Sequence, residues 1–319
     1  MQPTPHGSDR CPCAVLITHL RRPLVVASFL LVTIPASWAQ AQPAVPDEES
    51  EPRRGPTWTY ASGRTLKLFP GGDLFPVYVA DPHRPTNTIL VDFTRVDIED
   101  TKSPRFRLSA GGRFGALRID PPSPGGRSWQ ISVDAGLDAL FDSQNNQDAI
   151  GWDGNYGLTV ATASGGPLAF KVGVLHTSAH MGDEYADRTG RQRHNYTREE
   201  VAVGFSARMG RRWRTYAETG VAYLERYEQQ EPWRVQGGIE YESPQSLWGD
   251  RFSWFWASDL SSMQERDWRL DTSLQAGIAT RSEGRTYRLG IQVHDGRPTV
   301  SDFFQFTETS VTLGVWVDF

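Results

Sequence analysis

Cysteine is almost absent from this chain: there are two among 319 residues, Cys11 and Cys13. Both precede an apolar run at residues 24–34, which follows Arg21 and Arg22 and is followed by small residues at Ser37, Ala39 and Ala41. A basic flank, a short apolar stretch and an A-x-A-like site read as a secretory signal peptide over residues 1–41, cleaved after Ala39 or Ala41 and too short to be a membrane helix. The segment before Arg21 is long for such a leader, which points to a translation start further in. Neither cysteine follows the apolar run, so a lipoprotein anchor is not expected. The mature chain then has no cysteine, which excludes disulfides, thiolate zinc sites and a cysteine nucleophile. A secreted chain without disulfides fits a bacterial envelope protein held together by backbone pairing.

Long apolar runs are also missing. Beyond the leader nothing approaches the roughly 18–20 apolar residues of a spanning helix. Charge of one sign does not dominate: 33 basic against 38 acidic residues give a net charge of -5, and no basic stripe marks a nucleic-acid partner. What the chain does have is 11 Trp, 15 Phe, 10 Tyr and 30 Gly at a mean hydropathy of only -0.48. A transmembrane β-barrel has this profile, because only every second residue of a strand faces lipid.

Residues 42–56 are proline-rich and acidic, with Asp47, Glu48, Glu49 and Glu51 close together, and read as a disordered lead. In residues 57–87, Pro70, Gly71, Gly72, Pro76, Pro82 and Pro85 break up short apolar pieces. That density of breakers argues against a central strand and suggests a periplasmic or lumenal segment. From residue 88 the period becomes two. Ile89, Val91 and Phe93 alternate with polar neighbours, and Trp129, Ile131, Val133, Ala135, Leu137, Ala139 and Phe141 do so at length. Such alternation leaves no room for a helix. Continued to the end, it predicts an all-β fold, an outer-membrane-type antiparallel barrel of about twelve strands over residues 88–319. Asp134, Asp138, Gln130, Arg269, Asp271, Glu240 and Gln236 should face a narrow lumen, and Trp213, Trp233, Trp254, Trp256 and Trp268 should form interface belts.

The last run, Thr309, Val311, Leu313, Val315, Val317 and Phe319, resembles the C-terminal strand of outer-membrane barrels, where a terminal Phe is read by the assembly machinery. With that end placed in the periplasm, the longer connections, such as residues 181–194, 142–153 and 296–306, fall outside. Short ones, such as 165–166 and 210–211, fall inside, as in single-chain barrels.

One stretch, residues 168–183, combines a lipid-facing alternation with His176, Ser178 and His180 on the same face as Phe170 and Val174. About nine to eleven tilted residues cross the hydrocarbon, which puts His176 at the outer interface. The outward parity of Val201, Val203 and Phe205, run backwards, adds Glu199, Thr197 and Asn195. Antiparallel register places Glu199 opposite His176 and Asn195 opposite His180. Ser178 lies roughly 6.5–7 Å along the strand from His176. A histidine able to take a serine proton and oriented by a third polar group suits acyl transfer; Asn195 and Glu199 both qualify for the third role.

The segments H-T-S-A-H-M-G-D-E (176–184) and L-F-P-V-Y-V-A-D-P (74–82) resemble a family of secreted bacterial proteins known as a domain of unknown function, over about residues 66–319. His176-Thr177-Ser178 is also similar to the H-x-S motif of outer-membrane phospholipase A, a twelve-stranded calcium-dependent barrel whose external His and Ser are completed by an Asn on the next strand. That resemblance implies Asn195 as the third member. The longer loop before Asn195, and the presence of His180, Asp183 and Glu184, depart from the phospholipase pattern. Outer-membrane lipid A deacylase, with His, Ser and Glu, is a parallel that implies Glu199 instead.

Asp183 and Glu184, in a loop with Asp187, offer carboxylate oxygens for calcium; a charged outer loop is the plainer alternative. A transition metal on His176, His180 and Asp183 is disfavoured, since a spacing of four suits a helix. The expectation is therefore a bacterial outer-membrane barrel acting as a serine-dependent lipid acyl hydrolase. The alternative is a non-enzymatic barrel with a structural or small-solute transport role. Expected partners are outer-membrane lipids, the barrel assembly machinery through the strand ending at Phe319, and a second copy of the chain.

Overall fold

The computed structural model describes residues 55–95, 98, 100–225 and 231–319. The expected signal peptide, both cysteines and nearly all of the acidic lead lie outside these residues. The strands are β1 (Thr57–Thr59), β2 (Thr65–Leu68), β3 (Asn87–Arg95), β4 (Arg105–Asp120), β5 (Arg127–Asp142), β6 (Ala149–Ser164) and β7 (Leu168–Met181), followed by helix α1 (Asp183–Thr189). Then come β8 (Thr197–Met209), β9 (Trp213–Glu225), β10 (Trp233–Glu242), β11 (Ser253–Met263), β12 (Leu270–Ser282), β13 (Arg285–Gly296) and β14 (Glu308–Asp318).

From β3 to β14 each strand pairs antiparallel with the next, and β14 returns to β3 with Leu313 opposite Val91. The result is a closed twelve-stranded antiparallel barrel. The β14–β3 pairing closes the ring of strands, the arrangement by which a sheet satisfies its backbone in hydrocarbon. One strand pair forks. β3 pairs only with residues 105–109 of β4, while residues 117–120 pair with β2. At the fork the Asn87 amide stands in for a peptide: its Nδ2 donates to the Gly111 carbonyl at 2.8 Å and its Oδ1 accepts from the Gly111 N–H at 3.1 Å.

The burial pattern is that of a soluble protein turned inside out. Ile89, Leu137, Val172, Leu274, Leu289 and Leu313 are exposed, whereas Arg105, Gln130, Asp134, Lys171, Glu218 and Gln275 are buried. This distribution explains the low mean hydropathy. Of the residues expected in the lumen, Arg269 departs: β12 begins one residue later, leaving Arg269 exposed in the preceding loop. Val172, half exposed at the middle of β7, gives a direct test. Val172→Arg should cost about 2–4 kcal/mol in bilayer refolding titrations, as expected for a charge at mid-membrane depth. A change within about 0.5 kcal/mol, the usual cost at a water-facing surface, would place this face outside lipid.

Residues 69–86 run inside the barrel, where the prolines that forbid a strand leave carbonyls free to be read by the wall. Arg113 donates to the Phe75 carbonyl at 2.9 Å. Arg214 donates to those of Pro76 and Val77 at 2.5 and 2.9 Å, and Gln292 to that of Ala80 at 2.9 Å. Tyr78 stacks on Tyr216 with centroids 3.8 Å apart, and its hydroxyl donates to Glu218 at 2.7 Å. Beyond Tyr78 a chain of ion pairs crosses the interior. Lys171 and Arg234 each reach Glu218 at 2.5 Å, Arg234 also reaches Glu200 at 2.5 Å, and Arg198 joins Glu200 to Glu265. At the loop end, Ile98, Leu140, Ile150, Met181, Tyr185, Val300 and Phe303 form an apolar cluster over the strand ends.

Two groups of this inner segment titrate with opposite sign. Burial, reinforced by Arg297, His294 and Arg107, pushes the His83 imidazole well below the histidine range; its Nε2 meets the Pro298 carbonyl at 3.2 Å. Burial pushes the Asp73 carboxyl up to about 6, against the pull of Arg113. The unfolded chain protonates His83 near pH ~6.5 while the folded chain does not, so this contribution is lost as pH falls below that value. Asp73 works the other way: its destabilising charge disappears as pH falls through 6. Asp73→Asn should therefore show a steeper fall in the urea midpoint from pH ~7.5 to ~5.5 than Asp73→Asn/His83→Gln, the difference between the two being the His83 contribution. Equal pH profiles for the two variants would mean that water reaches His83.

Candidate active site

Three strands bring polar groups to one patch of the outer face, near the end of the barrel that carries the longer connections. Outward parity on β7 presents His176, Ser178 and His180. β6 places Tyr156, Gly154 and Trp152 directly beside them, and β8 places Glu199 beside His176 and Thr197 beside Ser178. The expected register between His176 and Glu199 is thus observed.

The contacts are specific. His176 Nδ1 lies 2.5 Å from Glu199 Oε1. A carboxylate only accepts, so Nδ1 carries the proton and Nε2 keeps its lone pair. The second Glu199 oxygen accepts from the Tyr223 hydroxyl at 3.3 Å. Tyr156 stacks on the His176 ring at 4.0 Å and 19°, and Trp152 stacks on His180 at 4.1 Å and 28°. Each aromatic ring faces an imidazole across the strand pair, limiting its rotation. Ser178 sits between the two stacks. Its Oγ would be 3.4 Å from a Cβ at Gly154, so the missing side chain leaves that flank of the hydroxyl open. Among the described residues no hydrogen bond holds the Ser178 hydroxyl, to His176 or to any other group.

Asn195 is not where alternation puts it. β8 begins at Thr197, and Asn195 has a φ of 52°, a left-handed conformation that asparagine tolerates. The backbone leaves the strand there, and Asn195 is exposed in the loop, off the Glu199 row. Asp183 and Glu184 form the first turn of α1, and Asp183 is paired with Arg193 at 2.5 Å. No cluster of three or more His, Cys, Asp or Glu side chains that could hold a metal occurs among the described residues. Gly182 in the same motif has a geometric reason: a Cβ there would collide with the Ala149 carbonyl.

Tyr223, Tyr156 and Trp152 escaped the sequence reading. Their signal was present, since each lies on the outward parity of a neighbouring strand. The loop expected over residues 142–153 covers Trp152, but β6 starts at Ala149 and the loop is shorter.

The sequence profile of one protein family covers residues 30–318 of this chain. The chain belongs to DUF1207, a family of proteins of unknown function. No curated protein matches it at a significant level. Among solved structures, it is similar to outer membrane phospholipase A from Escherichia coli, with 11% identity and a TM-score of 0.50 over 73% of this chain and 90% of that one. The Salmonella typhi outer membrane phospholipase dimer with bound calcium aligns at 12% identity and a TM-score of 0.49, over 77% and 95%. The NanC porin aligns at 13% and 0.42, over 72% and 98%. At such identities the likeness is one of fold: this chain forms an outer-membrane-type barrel.

Proposed function

We propose that this barrel resides in the bacterial outer membrane and hydrolyses acyl esters of envelope lipids at its outer face, with Ser178 as nucleophile, His176 as general base and Glu199 as the orienting group. The observation that carries this reading is the 2.5 Å contact between His176 Nδ1 and Glu199 on a lipid-facing surface. An ionisable pair held on such a face marks a functional site. Ser178 Oγ would attack the ester carbonyl as His176 Nε2 takes its proton. The proton then passes to the departing alkoxide, and water releases the fatty acid from the acyl-serine. Glu199 would fix the tautomer and stabilise the imidazolium, with Tyr223 holding its second oxygen.

Glu199 is preferred to Asn195 because it meets the imidazole directly. Asp183 pairs with Arg193 at an exposed position, and these steps are carried by Ser178, His176 and Glu199; the comparison with and without calcium tests the metal. Recognition of the final strand by the barrel assembly machinery, and pairing of two copies, belong to the same proposal. A transport role draws less support, because residues 69–86 and the ion-pair chain occupy the interior. The test is fatty-acid release by purified, refolded protein from phospholipid and lipid A substrates, with calcium and with chelator.

A further inference from the structure

At the end of the barrel where β14 finishes, the turns at residues 210–212 and 283–284, the inner segment and the last residues of the chain enclose a cavity of about 590 Å³. Its lining carries nine arginines against five carboxylates, a surplus of four positive side chains. Every one of those carboxylates already has a cation. Glu240 pairs with Arg214 at 3.0 Å, Glu242 with Arg281 at 2.5 Å, and Asp318 with Arg288. Asp73 lies 3.9 Å from Arg113 and Glu283 4.0 Å from Arg285.

Arg208, Arg211 and Arg212 have no ion pair among the described residues. Arg208, on the inward parity of β8, lies among Arg214, Glu240 and Arg281, two like charges against one carboxylate that Arg214 already holds. Crowding guanidinium groups at a concave mouth raises the local potential and costs free energy that a bound anion would recover. A planar guanidinium fork matches carboxylate or phosphate oxygens in pairs. Several forks lining one cavity favour phosphate, which offers more acceptor oxygens than a carboxylate. The volume falls within the range of small-molecule sites, about 300–1,000 Å³.

We propose that this mouth binds a phosphate-bearing polyanion through Arg208, Arg211 and Arg212. The site is independent of the hydrolase reading and lies at the opposite end of the barrel from His176. Its ligand chemistry has two sources, a soluble phosphate compound or the headgroup of an inner-leaflet phospholipid.

The experiment is calorimetric titration of the refolded full chain with inorganic pyrophosphate, in neutral detergent at about 20 mM salt, where screening is weak. Saturable binding is expected. It should weaken at least about tenfold in Arg208→Gln/Arg211→Gln/Arg212→Gln, which removes charge-assisted hydrogen bonds. Arg251→Gln, an exposed arginine outside the cavity, should bind as wild type does, and heat-modifiable gel mobility checks that each variant is folded. Repeating the titration in lipid nanodiscs separates the sources. Weaker pyrophosphate binding with phosphatidylglycerol present assigns the site to a headgroup, and unchanged binding assigns it to a soluble ligand. Absence of saturable heat up to about 5 mM, or equal affinity in the folded triple variant, overturns the proposal.

Discussion

Ser178→Ala is expected to lower fatty-acid release by at least about 10³-fold, with His176→Ala close behind, because members of such a triad act as a unit. Glu199→Gln should be nearly as severe, about 10²- to 10⁴-fold. The glutamine amide can offer Nδ1 a hydrogen-bond donor and so select the wrong tautomer, and it removes the charge that stabilises an imidazolium. Asn195→Ala should leave release near the wild-type rate, since Asn195 stands off the row that meets His176. Tyr223→Phe should cost far less than Glu199→Gln, for it removes one long hydrogen bond to the carboxylate. Release from phospholipid or lipid A that is equal in wild type and Ser178→Ala would remove the hydrolase reading. Full loss in Asn195→Ala with retention in Glu199→Gln would reverse the assignment of the third member. Refolding of each variant is read independently by gel mobility, because all of these side chains lie on the outer surface and none supports the interior.

Glu218→Ala should be the most destabilising of the interior substitutions, costing about 3–5 kcal/mol. The reason is what it leaves behind. Lys171 and Arg234 would both lose a carboxylate at 2.5 Å, and the Tyr78 hydroxyl would lose its acceptor. Glu218 is only 6% exposed, so solvent meets these groups poorly once the carboxylate is gone. The measurement is the urea unfolding midpoint in lipid vesicles. Adding Lys171→Met to Glu218→Ala should recover part of the loss, since Arg234 retains Glu200 while the unpaired ammonium is gone. Glu283→Ala, at an exposed pair 4.0 Å apart, should cost less than about 1 kcal/mol. A loss below about 1 kcal/mol for Glu218→Ala would show the interior to be wet and the inner segment loosely held.

Much of this architecture could be read from alternation alone. The run from Trp129 to Phe141 and the final run to Phe319 each declare a strand with one apolar face, because side chains of a strand alternate strictly and lipid tolerates only one kind. The same rule placed His176 opposite Glu199, since a two-residue period transmits register across a tight pair. It failed at Asn195, where a single left-handed residue ends the strand. It also missed the true start of β6, whose first residues, Ala149 to Gly151, carry no strong alternation.

What the sequence determined by itself was local and periodic: strand number, inward and outward faces, and the row that carries His176, Ser178 and Glu199. What only the tertiary structure decided was everything that depends on groups far apart in the chain. The period says nothing of the path of residues 69–86 through the interior, because their carbonyls find partners on Arg113, Arg214 and Gln292, whose positions follow from barrel closure. Nor does it say that Tyr223 meets Glu199, or that Arg208, Arg211 and Arg212 line one mouth. Those distances are set by the closed ring of strands, whose curvature brings together side chains that no local pattern relates.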